Sequence, residues 1–379
     1  MPEKIAVCTA GGAIASFHAA FKRMLEVLEE TAPGRFELVG AWGGLSGLIN
    51  GDFRPIRYGQ VEQDRAGSMI GADRKLAETE RIAKAVRDHH IHAVIMMGGD
   101  NHLGEADKCH DVGVPIVGYP KTMDGDLSSG VTLGWESAVA VGARATRLHH
   151  HTAMTFERVF YVGLFGRDTD WTVTAVTAYG GGDVGIPCER EYALETVLEK
   201  VESAYEANRM RYGRGFAVIP YSEGARINGV NPPPEEHRSL DAFGLPKLQP
   251  EWLGLELVRH TKGVGKAAAF QAHTYDMRDA PPTATDRALS AMAGEECIRM
   301  ILDADFGKAV VFEPQDDFYR VGRAPLEDVC KQRRVRDTGY FDYDQLRPAG
   351  SFARDYGRLF RRSLGDPPAK DELVYKNML

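Results

Sequence analysis

The sequence has few cysteines, and their arrangement excludes a disulfide framework. Only five occur in 379 residues, an odd number, and no two of them form a Cys-x-x-Cys pair. So few scattered cysteines are typical of a protein from a reducing compartment, where thiols stay free. We therefore expect buried free thiols. The cysteines are Cys8, Cys109, Cys188, Cys297 and Cys330.

Long apolar runs and excess positive charge are also missing. No stretch reaches the roughly 18 apolar residues that cross a bilayer, so we expect no membrane span. Residues Met1–Lys4 lead directly into a strand-like segment, without the pattern of a signal peptide. The net charge of −8 gives no reason to expect a nucleic-acid partner. We expect a cytoplasmic globular protein with neither nucleic acid nor a membrane as its partner.

What is present is an alternation of strand-like and helix-like segments. Apolar runs such as Ile5–Thr9, Ala93–Met97 and Pro115–Tyr119 each end near glycine or proline, and helical patterns separate them. This alternation predicts βαβ units and a mainly parallel sheet. A second α/β region begins near Val159–Phe165, and the length suits two domains. Other predicted strands are Phe36–Trp42, Arg214–Pro220, Ala267–Tyr275 and Lys308–Phe312, and predicted helices are Ala19–Glu30, Lys75–Asp88, Trp135–His149, Glu189–Asn208 and Asp286–Ile301.

Three segments give no indication of chemistry. Asn228–Pro250 is rich in proline, glycine and asparagine and is predicted to be a surface excursion. The basic stretch Lys331–Arg362 has no strong period, and we interpret it as a solvated or subunit-packing surface. The triplet His149–His151 is interpreted as a solvated helix end, because adjacent residues diverge around a helix and cannot easily share one metal.

The segment Gly98-Gly99-Asp100-Asn101 follows a predicted strand and precedes a helix. Glycines allow the backbone to approach a phosphate, and a helix N-terminus presents free N–H groups to it. Asp100 could then hold Mg²⁺, which prefers carboxylate, water and phosphate oxygens. The alternative is a tight turn between strand and helix in which Asp100 is only a cap.

The segment Pro120–Asp126 follows the next strand and places two carboxylates beside a lysine and a hydroxyl. One carboxylate could accept a proton from an attacking hydroxyl, and the lysine could balance the charge of a phosphate. The alternative is a solvated polar turn.

Together these segments resemble the phosphofructokinase family, whose members carry a Gly-Gly-Asp turn followed by a Pro-Lys/Gly-Thr-Ile-Asp-Asn/Gly-Asp loop. Further elements match in the same order along the chain. They are Gly134, Arg158–Arg167, Ile186–Glu189, the Ser222-Glu223-Gly224 of pyrophosphate-using members, Asp241–Gly244 with Lys247-Leu248, Thr274–Arg278 and Asp286-Arg287.

The resemblance implies a phosphotransferase of glycolysis with Mg²⁺ as its cofactor. It makes Asp124 the base on the sugar hydroxyl, with Lys121, Thr122 and Asp126 beside the transferring phosphate and Asp100 on the metal side. Donor-binding residues would be Gly12, Arg74, Gly99 and Asn101. Residues that bind the sugar phosphate would be Arg158, Phe165, Gly166, Arg167, Glu223, Tyr275 and Arg278.

The resemblance also implies the fold and the assembly. We expect two Rossmann-like three-layer α/β domains with the active site in the cleft between them. Residues 1–135 with about 277–325 would bind the donor, and 136–276 with the C-terminal tail would bind the sugar phosphate. In bacterial members, the arginine that matches Arg158 reaches the neighbouring subunit's site, so a homodimer or homotetramer is expected.

The chain departs from the family in its first glycine loop and near the sugar site. The usual Gly-Gly-Asp-x-Pro-Gly is Gly11–Ser16 here, without the acidic residue or the Pro-Gly turn. Gly163 and Phe165 replace the usual glutamate and methionine, and one expected phosphate-binding arginine has only Lys266 as a nearby candidate. These changes leave the acceptor open.

Three positions favour pyrophosphate over ATP as the donor. Asn101 and Lys121 stand where many bacterial ATP users have glycine, and Glu105 stands where ATP users often have a small residue. The alternatives are an ATP-dependent phosphofructokinase, a relative that acts on another phosphosugar, and a non-catalytic sugar-phosphate-binding regulator. The intact Asp100, Thr122, Asp124 and Asp126 argue against the regulator.

Overall fold

The computed structural model describes residues 1–75, 78–235, 238–240 and 247–375. The chain forms two compact units. Unit 1 comprises Met1–Ser137 and Arg278–Arg333, and unit 2 comprises Ala138–Met277 and Arg334–Leu379. The resemblance of Asp241–Gly244 to the family, and part of the predicted surface excursion, lie outside the described residues.

The elements of the described residues alternate between strand and helix, as predicted. The strands are β1 (Glu3–Thr9), β2 (Phe36–Ala41), β3 (Phe53–Pro55), β4 (Ile91–Gly98), β5 (Ile116–Thr122), β6 (Leu133–Gly134), β7 (Val159–Leu164), β8 (Glu191–Ala193), β9 (Ala217–Ser222), β10 (Arg226–Asn228), β11 (Ala268–Ala272), β12 (Lys308–Gln315), β13 (Phe318–Pro325), β14 (Phe341–Asp342) and β15 (Arg347–Pro348). The helices are α1 (Phe17–Thr31), α2 (Leu45–Asn50), α3 (Thr79–Asp88), α4 (Asp100–Asp111), α5 (Trp135–Thr155), α6 (Trp171–Gly180), α7 (Leu194–Tyr212), α8 (Pro250–Gly263), α9 (Thr274–Asp279), α10 (Ala284–Leu302), α11 (Leu326–Val329) and α12 (Gly350–Leu364).

The sheet of unit 1 has the order β13-β12-β5-β4-β1-β2-β3, with the short β6 beside β5. Its strands β2, β1, β4, β5 and β12 are parallel, and the edge strands β3 and β13 are antiparallel. The run Ala93–Met97 in β4 is fully buried, as expected for a parallel strand covered on both faces. Because β1, β4 and β5 are parallel neighbours, the loops that follow them lie at the same edge of the sheet.

Unit 2 has a smaller central sheet of three parallel strands in the order β11-β7-β9. A parallel pair, β8 with β10, and an antiparallel pair, β14 with β15, lie outside this sheet. Helices α7 and α8 pack on the central strands, and α12 packs on α6. Both units are therefore α/β with a parallel central sheet, which confirms the predicted fold class.

Several local predictions were wrong. The predicted helix Glu189–Asn208 is the strand β8 followed by α7, because the Glu189 carboxylate instead accepts the backbone N–H groups of Val335 and Arg336. The predicted strand Ala267–Tyr275 ends at Ala272 and is followed by α9. Although the C-terminal stretch was expected to be irregular, it contains α12 with a buried apolar stripe.

The histidine triplet is not a solvated helix end. Helix α5 continues to Thr155, and His150 is fully buried with its Nε2 3.0 Å from the Gly181 carbonyl oxygen. The ring of His149 stacks on Phe160 with its centroid 4.0 Å away. The prediction of free thiols is confirmed, since all five cysteines are unpaired and four of them are buried. Among the described residues, none of the helices combines the length and the apolar character that a bilayer crossing requires.

Candidate active site

The loops after β1, β4 and β5 bring the predicted catalytic and donor residues of unit 1 together. Strand pairing places Thr9 beside Met97 and Gly98 beside Pro120, so the three strands end at nearly the same level. The segments that follow them are Gly11-Gly12, Gly99–Asn101 and Lys121–Asp126. Their roles stay predictions, but their proximity is a property of the fold.

Lys121 lies at the centre of this group and is buried. Its Nζ donates a hydrogen bond of 2.6 Å to the Gly12 carbonyl oxygen, which joins the first loop to the third. Burial, helped by the positive charges of Arg278 and Arg74, lowers the pKa of Lys121 to about 7, although Asp124 and Asp100 oppose this shift. The positive charge of Lys121 is thus only partly neutralised by the groups of unit 1. A highly charged anion bound beside it would stabilise the ammonium.

Asp124 is held by a short turn. The Thr122 hydroxyl accepts a hydrogen bond of 3.1 Å from the Asp124 backbone N–H and donates one of 3.0 Å to Asp124 Oδ2. Gly125 follows with a φ of +78°, and a Cβ there would lie 2.6 Å from the indole ring of Trp135. Only glycine allows the chain to turn at this point without moving Trp135. The carboxylate that the resemblance makes the base is therefore fixed by its own loop.

Asp126 is the buried member of the carboxylate pair. Burial first, and then the negative charge of Asp124, raise the pKa of Asp126 well above its usual range, while a hydrogen bond from Gln332 lowers it. That bond joins Gln332 Nε2 to Asp126 Oδ2 over 2.7 Å. The two carboxylates therefore differ in environment, which is typical of a pair in which only one exchanges a proton readily.

Asp100 and Asn101 form the first turn of α4, with Gly99 as the N-cap. Asn101 Nδ2 donates to Asp100 Oδ1 over 3.3 Å, and both side chains lie at the free N–H groups of the helix. Within the described ranges, no three His, Cys, Asp or Glu side chains are arranged as a metal site. Mg²⁺ in phosphoryl-transfer sites usually takes one or two carboxylates together with phosphate oxygens, so the oxygen donors of Asp100 and its carboxylate neighbours suit it.

Two guanidinium groups converge on Gly12. A Cβ at this position would lie 3.3 Å from Arg278 Cζ and 3.4 Å from Arg74 Nη2. A side chain at Gly12 would therefore occupy the space beside both arginines. The resemblance assigns Arg278 to the sugar phosphate, and within unit 1 its side chain lies at Gly12, next to Arg74.

The altered first loop is packed with apolar groups. Ile14 is buried, and its side chain contacts Gly134, where a Cβ would lie 2.6 Å from Ile14 Cγ2. The Gly67 N–H donates to the Ile14 carbonyl oxygen over 3.0 Å. The Gly11 N–H also donates to the Asp73 carbonyl oxygen over 2.7 Å. The loop without the family's acidic residue is thus held by packing, by these backbone hydrogen bonds and by the Lys121 bond to Gly12.

In unit 2, the segments after β7, β9 and β11 bring together five of the residues assigned to the sugar phosphate. The N–H groups of Glu223 and Gly224 donate to the carbonyl oxygens of Leu164 and Gly166, each over 2.9 Å. A Cβ at Gly224 would collide with the Arg167 carbonyl oxygen. The ring of Tyr275 meets Phe165 edge-on at 5.9 Å. The joined residues are Phe165, Gly166, Arg167, Glu223 and Tyr275.

Arg158 is not brought to this group within unit 2. It precedes the first residue of β7, whereas Phe165 and Arg167 follow the last one. A strand of six residues spans about 20 Å. The guanidinium instead lies over the Phe156 ring at 4.5 Å and donates to the Thr152 hydroxyl over 3.0 Å.

Lys266 does not replace the missing arginine. It precedes β11 and is therefore also at the amino end of the sheet, and its Nζ lies 2.8 Å from Glu206 and 3.4 Å from Glu202. Its charge is thus engaged in surface ion pairs.

Sequence reasoning missed two groups near the unit 1 site. Gln332 contacts Asp126 although 206 positions separate the two residues, and no local pattern marks it. His102 lies beside Lys121, and its Nε2 is 3.1 Å from the Lys75 carbonyl oxygen. Burial and then the Lys121 charge lower the pKa of His102 to about 4, so this histidine is neutral near pH 7. The only feature of the sequence that could have pointed to His102 is its place in the first turn of α4, directly after Asp100 and Asn101.

Comparison with known proteins shows the family. The family model described as Phosphofructokinase matches residues 4–301. A pyrophosphate–fructose 6-phosphate 1-phosphotransferase from Amycolatopsis methanolica is 31% identical over 326 residues, which cover 83% of this chain and 91% of the relative. An ATP-dependent 6-phosphofructokinase from Chloroflexus aggregans is 27% identical, with coverage of 86% and 91%.

The fold has solved counterparts. A crystal structure of a pyrophosphate-dependent phosphofructokinase from Marinobacter aquaeolei matches with a TM-score of 0.77 and 18% identity, covering 98% of this chain and 95% of that one. The family match over most of the chain and the similarity to the Amycolatopsis enzyme agree with the loops described above. This chain belongs to the phosphofructokinase family and is an enzyme of that type.

Proposed function

We propose that the enzyme transfers a phosphoryl group from pyrophosphate to fructose 6-phosphate, giving fructose 1,6-bisphosphate and phosphate. The observation that carries this proposal is the buried Lys121 ammonium beside the Thr122-held carboxylate of Asp124. An ammonium that lacks full compensation and an adjacent base are what a phosphoryl transfer to a hydroxyl needs.

The chemical step follows from these positions. The sugar hydroxyl attacks the transferred phosphorus, an O–P bond forms, and the bond to the bridging oxygen breaks to release phosphate. Asp124 takes the hydroxyl proton. Lys121, Arg74 and Arg278 bind and orient the phosphate groups and offset their charge. Mg²⁺, held by Asp100 and phosphate oxygens, would supply further charge neutralisation.

Pyrophosphate as the donor is supported by the surroundings of α4. Glu105 is buried on this helix, and its Oε1 accepts a hydrogen bond of 2.9 Å from the Thr79 hydroxyl at the start of α3. This contact joins the second turn of α4 to the first turn of α3. Asn101 adds a side chain at the first turn of α4, where many bacterial ATP users have none. Both features leave less room for a nucleotide than for pyrophosphate.

One observation favours ATP as a second candidate. Pyrophosphate-using members of the family usually have an aspartate at the position that Asn101 matches. Asn101 is uncharged, so it supplies the bulk of that aspartate without its electrostatic repulsion of a nucleotide phosphate. Relatives of both donor types resemble the chain at similar identity. Lys121 and Glu105 therefore favour pyrophosphate more strongly than Asn101 does.

We also propose that the sugar-phosphate site is completed by a second copy of the chain. Arg158 lies at the end of β7 opposite to Arg167, which suits an arginine that serves a neighbouring subunit. Unit 1 would then bind the donor and unit 2 the sugar phosphate.

A matrix of donors and acceptors tests the reaction. Purified enzyme with Mg²⁺ is given pyrophosphate or ATP together with fructose 6-phosphate or another phosphosugar, and the products are identified by phosphorus NMR. We expect fructose 1,6-bisphosphate from fructose 6-phosphate at the highest rate. A faster reaction with another phosphosugar would reject this acceptor while keeping the reaction type, and no turnover of any pair would reject the reaction.

A further inference from the structure

A segment beyond the family match packs on the catalytic loop of unit 1. The family model ends at residue 301, whereas the segment 328–333, which we call the clasp, begins in the last two residues of α11 and continues beyond it. Leu127 and Gln332 form an antiparallel bridge. The Ser128 N–H donates to the carbonyl oxygens of Val329 and Lys331 over 3.2 and 3.1 Å, and the Ser128 hydroxyl donates to the latter over 2.9 Å.

The clasp also holds the two residues that follow Asp124. The Arg333 backbone N–H donates to the Asp126 carbonyl oxygen over 2.6 Å, and Arg333 Nη2 donates to the Gly125 carbonyl oxygen over 3.2 Å. The side-chain amide of Gln332 donates to Asp126 Oδ2 over 2.7 Å. The catalytic loop is therefore fixed through its backbone by Arg333 and through a carboxylate by Gln332.

We propose that Gln332 is a positioning residue for phosphoryl transfer, which holds the Asp126 carboxylate beside Asp124 through its side-chain amide. This inference rests on the proposed function for its catalytic consequence. This residue lies outside the family motifs named above, in a stretch that the sequence predicted to be a solvated or subunit-packing surface.

The chemistry of an amide suits this position. Asp126 is 6% exposed, so its oxygens need hydrogen-bond partners inside the protein. A lysine or arginine would form an ion pair and draw the carboxylate away from the phosphate site. An amide donates a hydrogen bond without net charge, so it orients Asp126 and leaves the positive charges of the site to the substrates. Loss of this bond would release the carboxylate and remove one of the contacts that hold residues 124–128, so the loop itself would open more often.

The test compares two methionine variants of the clasp. Gln332→Met keeps the length of the side chain and removes its donor. Lys331→Met is the matched control, because the Lys331 side chain is exposed and pairs with Asp328 at 2.6 Å. With the donor and acceptor that wild type uses best, we expect Gln332→Met to lower kcat by about tenfold or more, because small misplacements in an active site cost at least this much. Both KM values and Tm should stay near wild type, and Lys331→Met should match wild type throughout.

A substrate-free measurement separates this inference from the proposed function. Hydrogen exchange of the amides of residues 124–128 should be faster in Gln332→Met than in wild type and unchanged in Lys331→Met. If wild type turns over none of the donor and acceptor pairs, the proposed function fails, and exchange alone decides whether Gln332 positions the loop. Three results for Gln332→Met would each overturn the inference. The first is unchanged hydrogen exchange, and the second is an unchanged kcat in an active enzyme. The third is a fall in Tm together with a rise in both KM values.

Discussion

In the proposed reaction, Asp124 is the residue on which the chemical step depends. Its carboxylate is held by Thr122 and follows a buried strand, so its position does not rely on its own charge. Asp124→Asn keeps the shape and removes the ability to take a proton. We expect kcat to fall by about 10²–10⁴-fold, the usual contribution of a general base. Isothermal titration calorimetry should still detect the sugar phosphate, and a variant with near-wild-type turnover would remove Asp124 from this role.

Lys121 predicts a pH dependence. Its pKa in the free enzyme is lowered to about 7, mainly by burial, so the ammonium predominates below this pH and is lost above it. If the ammonium binds the donor, kcat/KM for pyrophosphate falls as the pH rises through about 7, because this ratio reports the free enzyme. Bound phosphate favours the ammonium, so kcat should fall only at higher pH.

Lys121→Met provides the control for this profile. The variant should have a lower kcat/KM for pyrophosphate and should lose the break near neutral pH. A wild-type kcat/KM that stays level up to about pH 9 would show that the charge of Lys121 does not govern donor binding.

Among individual residues, the sequence predicted the proximity of those that directly follow neighbouring strands. Gly98–Asn101 and Lys121–Asp126 follow neighbouring parallel strands, so their proximity follows from the βαβ pattern. The βαβ pattern did not predict the position of Gln332, because its contact with Asp126 depends on how a segment distant in the sequence packs against this loop. It also could not show that Arg278 lies beside Arg74, because side-chain direction at a helix depends on packing.

Among the elements, the C-terminal segment differs most from its prediction. Its helix α12 buries Phe352, Leu359 and Phe360, an apolar stripe that the many arginines of this stretch obscure. Beyond it, Lys370 forms an ion pair of 2.6 Å with Asp183, and both side chains are largely buried. A charged residue near the end of the chain thus anchors the tail to the core of unit 2.

This ion pair predicts a stability effect. Lys370→Met would leave the Asp183 carboxylate buried without its main charge partner. We expect the free energy of unfolding to fall by about 3 kcal/mol, as for other broken buried pairs. Urea denaturation measures the change, and the double variant Lys370→Met with Asp183→Asn should recover part of it. Equal stability of Lys370→Met and wild type would show that the pair contributes nothing.

For the whole molecule, the position of Arg158 predicts complementation between subunits. Arg158→Ala and Asp124→Asn should each be inactive alone. If Arg158 serves the neighbouring subunit, a mixed dimer contains one site with both wild-type residues. When equal amounts of the two variants are mixed and allowed to exchange subunits, half of the dimers are mixed and one of their two sites is complete. The mixture should therefore show about a quarter of the wild-type rate. No recovery, with mixed dimers shown by mass spectrometry, would place Arg158 in its own subunit's site.

The central claim is that the enzyme uses pyrophosphate, and donor kinetics test it most directly. With Mg²⁺ and saturating fructose 6-phosphate, kcat/KM is measured for pyrophosphate and for ATP, in wild type and in the double variant Asn101→Gly with Lys121→Gly. The account predicts a much higher kcat/KM with pyrophosphate in wild type and a shift towards ATP in the double variant. A much higher wild-type kcat/KM with ATP would contradict it.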